Sequence, residues 1–302
     1  MYIQQINNKK FDLFLYLPIP LCFLGLIIFN YITTKDINVE EVLQTLIEQM
    51  GTNVAFVLLI APLSIGLFCL FFWVKFVHQQ TIRSLTTARP KIDWKRIFFS
   101  FTVWALITIG STLLFFYLSP DDFVWNFKPI PFFSFLLLAL ILIPLQTSFE
   151  EYLFRGYLMQ GIGVATKSRL IPLLITSIAF GLMHIANPEV GKMGPVIMIY
   201  YIGTGFFLGI ITLMDEGLEL ALGFHAANNL VGALLVTADW TAFQTHSIFK
   251  DISEPSAGVD VLLPVVVIFP ILLVIFGKKY GWTNWKEKLT GKLPEPTDVL
   301  PN

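Results

Sequence analysis

The chain has 302 residues, a formal net charge of −1, 55% hydrophobic residues and 14% charged ones, against about 25% charged in an average soluble domain. This composition excludes a soluble globular protein, and the near-zero charge leaves no electrostatic footprint for nucleic acid. Apolar runs this long must be helices, because strands cross lipid only as closed barrels.

A spanning helix needs about 20 mostly apolar residues. The sequence predicts eight, at 13–33, 53–76, 97–117, 133–158, 170–187, 195–214, 217–237 and 259–277. The expected fold is therefore an all-α polytopic membrane protein of about eight transmembrane helices, a single domain over 1–302. The first segment follows Lys9 and Lys10 but lacks a small-residue cleavage site, so it reads as a retained span. Residues 34–52 suit a short interfacial helix. Cys22 and Cys69 lie in apolar runs and read as small buried hydrophobes, without disulfide or metal spacing. There is no internal repeat and no low-complexity segment.

Loop charge sets orientation. The second loop carries Arg83, Arg89, Lys91, Lys95 and Arg96, and the tail carries Lys278, Lys279, Lys286, Lys288 and Lys292. Lys167 and Arg169 mark the fourth loop. These sides should be cytoplasmic, with both termini inside. The first loop is acidic, with Asp36, Glu40, Glu41 and Glu48 against Lys35, and the third holds Asp121 and Asp122. The exception is the link before the seventh helix, where Asp215, Glu216 and Glu219 fall on the basic side. Pro90 and its basic neighbours make the second loop the expected flexible joint.

Three polar islands interrupt the apolar sequence. The first is Gln146-Thr147-Ser148-Phe149-Glu150-Glu151, followed by Arg155 and Gly156. Ionisable groups at membrane depth are costly unless paired or facing a cavity, and so they mark working sites. Adjacent helical residues point about 100° apart. Glu151 and Arg155, four apart with the acid first, suit an ion pair. That leaves Glu150 free as a candidate general base. The second island ends Phe180-Gly181-Leu182-Met183-His184. A lone histidine there is more often packed than catalytic. The third is His225-Ala226-Ala227-Asn228-Asn229, whose His225 and Asn229 share a helix face. His78 and His246 read as incidental. At about 1.5 Å per residue, Glu150, His184 and His225 lie roughly 12–18 Å from one membrane edge. Pro144 is expected to kink the fourth helix, and Gly156, Gly161 and Gly163 to allow close approach or unwinding beyond it.

The order Glu-Glu-x-x-x-Arg, Phe-x-x-x-His, His-x-x-x-Asn, each in its own apolar helix, resembles the CAAX protease and bacteriocin-processing family of intramembrane endopeptidases, which includes the type II CAAX prenyl endopeptidases. The match covers roughly 130–240, the expected catalytic core. The resemblance implies that Glu150 and His184 activate a water. It implies a structural pair of Glu151 with Arg155, and a carbonyl-polarising, oxyanion-stabilising pair of His225 with Asn229. Family members are often labelled metalloproteases, and His184, His225 and Glu150 would be the zinc ligands. A metal-free mechanism needs nothing extra and is favoured, so no cofactor is expected. The expected partners are membrane lipid and a membrane-associated peptide or protein substrate, prenylated or of the leader or bacteriocin type. The expected location is the plasma membrane of a bacterium. The alternatives are a catalytically silent scaffold or bacteriocin-immunity protein of the same fold and, with less support for want of repeat symmetry, a transporter. The first 130 residues carry no matched motif.

Overall fold

The computed structural model describes residues 1–6, 11–34 and 37–294. Lys9, Lys10, Lys35 and Asp36, used above for orientation, lie outside the described residues. The helices run in chain order as α1 (Pro18–Thr34), α2 (Val39–Met50), α3 (Thr52–Phe76), α4 (Ile82–Thr86), α5 (Trp94–Leu118), α6 (Pro129–Glu151) and α7 (Met159–Thr166). Then come α8 (Leu170–Leu182), α9 (Pro188–Met193), α10 (Ile197–Asp215), α11 (Glu219–Leu235), α12 (Val259–Leu263), α13 (Phe269–Tyr280) and α14 (Trp285–Thr290). Three short strands join them: β1 (Phe123–Trp125), β2 (Val236–Thr237) and β3 (Phe249–Asp251). The central strand β3 pairs antiparallel with β1 and parallel with β2. This small sheet caps the C-terminal ends of α5 and α11. The protein is an all-α polytopic membrane protein.

Every predicted span contains a helix, and among the described residues six helical segments are long and apolar enough to cross a membrane. The other two are α8, with 13 residues, and α11, with 17. At about 1.5 Å per residue they measure roughly 20 and 25 Å, short of the roughly 30 Å hydrocarbon core. Much of α11 is buried among other helices, so it need not match the lipid thickness. The predicted interfacial segment holds α2, which is capped by Asn38, whose side chain accepts from the Glu41 N–H.

Several expectations are corrected. Cys22 and Cys69 are exposed, not buried. In a membrane protein the outer surface meets lipid, so an apolar run does not tell core from periphery. Exposed Phe68, Phe72, Leu137 and Ile141 sit on the same kind of face. The helix runs unbroken through Pro144 from Pro129 to Glu151. The irregularity comes later, as a π-helical segment over Tyr152–Leu158. Beyond it, Gly161 and Gly163 admit the Tyr16 and Ile3 side chains, as the close-approach reading requires.

The second loop is pinned rather than flexible. Arg89 reaches Asp215 at 2.8 Å and Glu219 at 3.0 Å. Arg96 also bonds Asp215, and the Trp282 indole N–H donates to it at 3.1 Å. The backbone adds Ala88 N–H to Glu216 O at 3.0 Å and Leu218 N–H to Thr86 O at 2.8 Å. The Tyr2 N–H donates to the Glu216 carboxylate. This resolves the acidic link that broke the charge pattern: its carboxylates neutralise the arginines of the second loop. The N-terminal residues, the second loop, the link and α14 therefore meet at one end of the bundle.

Helix α11 is the centre of the bundle, packed mainly against α5 and also against α6 and α10. The α5–α11 approach is close because Gly223 has no side chain: a Cβ there would lie 2.1 Å from the Ile97 carbonyl oxygen. Both partners are backbone, so neither can turn aside. Gly223→Ala is expected to lower stability by about 1–3 kcal/mol, the usual cost of overpacking. On the same helix, Gly232 has nothing within 4 Å of its Cβ position. Gly232→Ala should match or exceed wild type, since Ala is the better helix former. Thermal unfolding of both variants in detergent checks this, and equal midpoints would refute the close contact.

Candidate active site

The last turn of α6 and the π-helical segment build the floor of the site. Arg155 and Glu151 are 0% exposed, Glu150 is 3% exposed and His225 5%. Arg155 Nη1 donates to Glu151 Oε1 at 2.9 Å, the pair that the i, i+4 spacing predicts. Arg155 Nη2 donates to Gly205 O at 3.1 Å, and the guanidinium lies 4.0 Å from the Phe180 ring centroid. A fully buried guanidinium needs such company, because an unpaired buried charge costs several kcal/mol. The wider π-turn leaves carbonyls beyond the usual ladder. That of Arg155 lies 3.1 Å from the Tyr2 hydroxyl.

His225 bridges both glutamates. Its Nδ1 bonds Glu151 Oε1 at 2.8 Å, and its Nε2 lies 3.6 Å from Glu150 Oε2. Glu151 already accepts from Arg155, so it is the acceptor and His225 Nδ1 carries the hydrogen. Glu151 therefore does more than pair with Arg155: it also orients the histidine. Adjacent glutamates do different jobs, as helix geometry requires, yet both meet the same imidazole. Phe180 links the three islands, with its ring stacked under Arg155 and centroids 5.3 Å from His184 and 5.7 Å from His225.

His184 lies two residues past the end of α8, not within a span as expected. Leu182 ends the helix, and the following residues turn, with the His184 N–H bonded to Gly181 O. Its Nδ1 donates to Phe180 O at 3.0 Å, which leaves Nε2 as an acceptor when the ring is neutral. The ring stacks on Tyr201 at 4.4 Å and 13°.

Glu150, His184, His225 and Asn229 line one cavity of about 390 Å³. Phe23, Ile27, Leu59 and Leu63 of α1 and α3 form an apolar wall opposite. The first 130 residues thus reach the cavity although they carry no motif. Glu150 Oε2 is buried and has no hydrogen-bond partner within the described residues. Two site residues were not singled out from the sequence. Gln146 Nε2 donates to Glu150 Oε1, and Gln146 Oε1 accepts from Asn229 Nδ2 at 3.1 Å. Asn228 Nδ2 donates to Asn229 Oδ1 at 3.0 Å. The signal for Gln146 was present, since it stands four residues before Glu150. For Asn228 there was none, because its partners come from distant helices.

The zinc reading required His184, His225 and Glu150 as three ligands. Among the described residues no three His, Cys, Asp or Glu side chains are grouped to hold a metal ion. His225 Nδ1 and His184 Nδ1 bond Glu151 and the Phe180 carbonyl, which leaves Nε2 of each ring outside those bonds. No step below is routed through a metal.

Replacing Glu151 tests the floor. Glu151→Gln removes the charge that balances Arg155 in a site without solvent. The expected loss is about 3–5 kcal/mol of stability, seen as a lower unfolding temperature and poor yield. A Glu151→Gln protein as stable as wild type would show that the ion pair contributes nothing.

The motif residues fall within a segment with recognisable relatives. Residues 129–231 match the family model described as Rce1-like, type II CAAX prenyl endopeptidase. The uncharacterized protein YyaK of Bacillus subtilis (strain 168) is 37% identical over 165 residues, 54% of this chain and 55% of that protein. The match thus spans about half of that relative's length. No solved structure matches. The family segment opens with α6 and closes within α11, so it contains Glu150, Glu151, Arg155, His184, His225 and Asn229. Over residues 129–231 this integral membrane protein is similar to the Rce1-like family, described as type II CAAX prenyl endopeptidase.

Proposed function

We propose that this protein is an intramembrane endopeptidase that hydrolyses a peptide bond of a membrane-associated substrate, with Glu150 as general base. One observation carries the reading. Glu150 Oε2 is a buried carboxylate oxygen without a hydrogen-bond partner among the described residues, on the wall of a cavity shared with His184, His225 and Asn229. A buried unsatisfied polar atom is costly and is kept where chemistry uses it. The catalytic core is 130–240, within one domain over 1–302.

Charge balance sets the resting protonation. Glu150, Glu151, Arg155 and His225 are two acids, one permanent cation and one histidine in a low-dielectric site. The group is neutral when one proton is held by the Glu150–His225 pair. With that proton on His225, Glu150 is an ionised base and His225 Nε2 is a donor. A water then loses its proton to Glu150 Oε2 while its oxygen bonds the scissile carbonyl carbon. His184 Nε2 accepts the second hydrogen of that water and orients it. The carbonyl electron pair moves onto oxygen, where His225 Nε2–H and the remaining Asn229 N–H stabilise the negative charge. The C–N bond then breaks, and Glu150 returns the proton to the leaving amine.

The apolar wall from α1 and α3 suits a substrate that is itself lipid-associated. That includes a prenylated CAAX-type tail or an apolar leader peptide. The basic end of the bundle is the cytoplasmic face by the positive-inside rule, with both termini there. The Bacillus relative supports the plasma membrane of a bacterium.

Internally quenched peptides in detergent micelles test this, one carrying a prenylated C-terminal CAAX sequence, one unprenylated, one leader-like. Wild type should cleave at least one. Glu150→Gln should lower kcat by about 10²–10⁴-fold with the unfolding temperature near wild type. Full activity in purified Glu150→Gln would remove Glu150 from the reaction. No cleavage by wild type would favour the silent-scaffold reading. Elemental analysis belongs to the same preparation, with substoichiometric zinc and resistance to chelators expected. Stoichiometric zinc lost together with activity would replace the metal-free step while keeping the same residues.

A further inference from the structure

Two donors that take no part in the proposed chemistry converge on Asn228. The Trp104 indole N–H, from α5, donates to Asn228 Oδ1 at 3.0 Å. The Tyr200 hydroxyl, from α10, donates to the same oxygen at 3.1 Å. Asn228 Nδ2 donates to Asn229 Oδ1, Asn229 Nδ2 donates to Gln146 Oε1, and Gln146 Nε2 donates to Glu150 Oε1. This is an unbroken chain from the α5 and α10 faces to the proposed base. Trp104 is 5% exposed and Gln146 3% exposed, so water does not compete for their ends of it.

The chain can run only one way. The two ends of an amide are alike in shape, so its direction is fixed by a neighbour that can only donate or only accept. An indole N–H only donates. It therefore fixes the carbonyl end of Asn228, and each amide then fixes the next. The last donor is Gln146 Nε2, so Glu150 Oε1 must accept. The oxygen that accepts from Gln146 is the less favourable seat for the proton, because a carboxyl O–H oxygen is a weaker acceptor than a carboxylate oxygen. The proton taken from water is thereby directed to Oε2, which has no hydrogen-bond partner among the described residues and lies 3.6 Å from His225 Nε2.

We infer that Gln146 and Asn228 are positioning residues whose one-way amide chain, started by Trp104 and Tyr200, reserves Glu150 Oε2 for the proton. They act through Glu150 and Asn229 and need not touch the substrate. The chain also explains why Asn229 has a single N–H left for an oxyanion, since the other is spent on Gln146. This inference rests on the endopeptidase reading for its purpose but not for its geometry.

The first measurement needs no substrate. Infrared difference spectra of the full-length protein in detergent, wild type minus Glu150→Gln, isolate the Glu150 carboxyl band. Gln146→Met removes the donor to Oε1 at nearly constant shape and should shift that band. Asn228→Leu should shift it in the same direction by less. Ser100→Ala is the structural control. Its hydroxyl bonds Leu220 O at 2.7 Å between α5 and α11, outside the chain. That variant should lower the unfolding temperature without moving the band. A Glu150 band unmoved in folded Gln146→Met overturns the inference, as does an equal shift in Ser100→Ala.

The second measurement uses whichever quenched peptide wild type cleaves. Gln146→Met should lower kcat about 10- to 100-fold with KM unchanged, the usual range for a hydrogen bond to a charged group. Added to Glu150→Gln, it should cause no further loss. A multiplicative loss in the double variant overturns the inference, because a positioning residue cannot act once its target is gone. If the band shifts and no peptide is cleaved, the amide chain stands and the endopeptidase reading falls. If peptides are cleaved and neither band nor kcat responds to Gln146, the reading stands and the chain falls.

Discussion

A guanidinium with no exposure at all, inside an apolar bundle, is the constraint on which the rest of the site depends. Arg155 is held by a carboxylate, a backbone carbonyl and an aromatic face, each from a different part of the chain. Glu151 comes from α6, Gly205 from α10 and Phe180 from α8. To bury this one charge, three helices must come together in one arrangement. That arrangement also brings His225 onto Glu151 and His184 beside Phe180. The phenylalanine of the second motif is thereby explained. It stacks under the cation and sets the spacing of both histidines, so an apolar residue carries as much of the site's geometry as the polar ones.

The molecule keeps its charges in two separate sets. At one end, Asp215, Glu216 and Glu219 meet Arg89, Arg96 and neighbouring cations, partly open to solvent. There the pairs tie the loop before α5 to the link between α10 and α11, and none of these three acids lines the cavity that Glu150 faces. In the interior, charge is counted more strictly. Arg155, Glu151, His225 and Glu150 form one continuous ion-pair cluster. Arg155 and Glu151 cancel each other, so Glu150 is not held by a permanent positive charge.

Much of this was legible in the sequence. Apolar runs gave every spanning segment, and the i, i+4 rule gave the Glu151–Arg155 pair and the shared face of His225 and Asn229. The gathering of the three islands was expected from helix rise, and they line one cavity. What could not be read has physical reasons. In a membrane protein lipid-facing and core residues have the same composition, so Cys22 and Cys69 were misplaced. The unbroken helix through Pro144 and the π-turn after Glu151 depend on tertiary contacts such as Tyr2 against Arg155 O. The acidic link looked like an exception to a loop-charge rule because that rule has no term for pairing. Gln146 and Asn228 take their meaning from partners as far apart as Trp104 and Tyr200, which no local spacing encodes.

The first 130 residues, silent as to motif, turn out to supply two different walls. Trp104 on α5 lies behind Asn228 and faces the polar floor, whereas Phe23, Ile27, Leu59 and Leu63 line the opposite side of the cavity without a polar atom among their side chains. A peptide bond between them would meet donors and a base on one side and hydrocarbon on the other. In such a place water is scarce and each fixed dipole acts at low dielectric, so orientation is worth more than additional charge. The amides provide that orientation at no cost in net charge. Amides cannot titrate, and their direction is set from outside the cavity. They are the suitable material for aiming a carboxylate where another ionised group would disturb its proton.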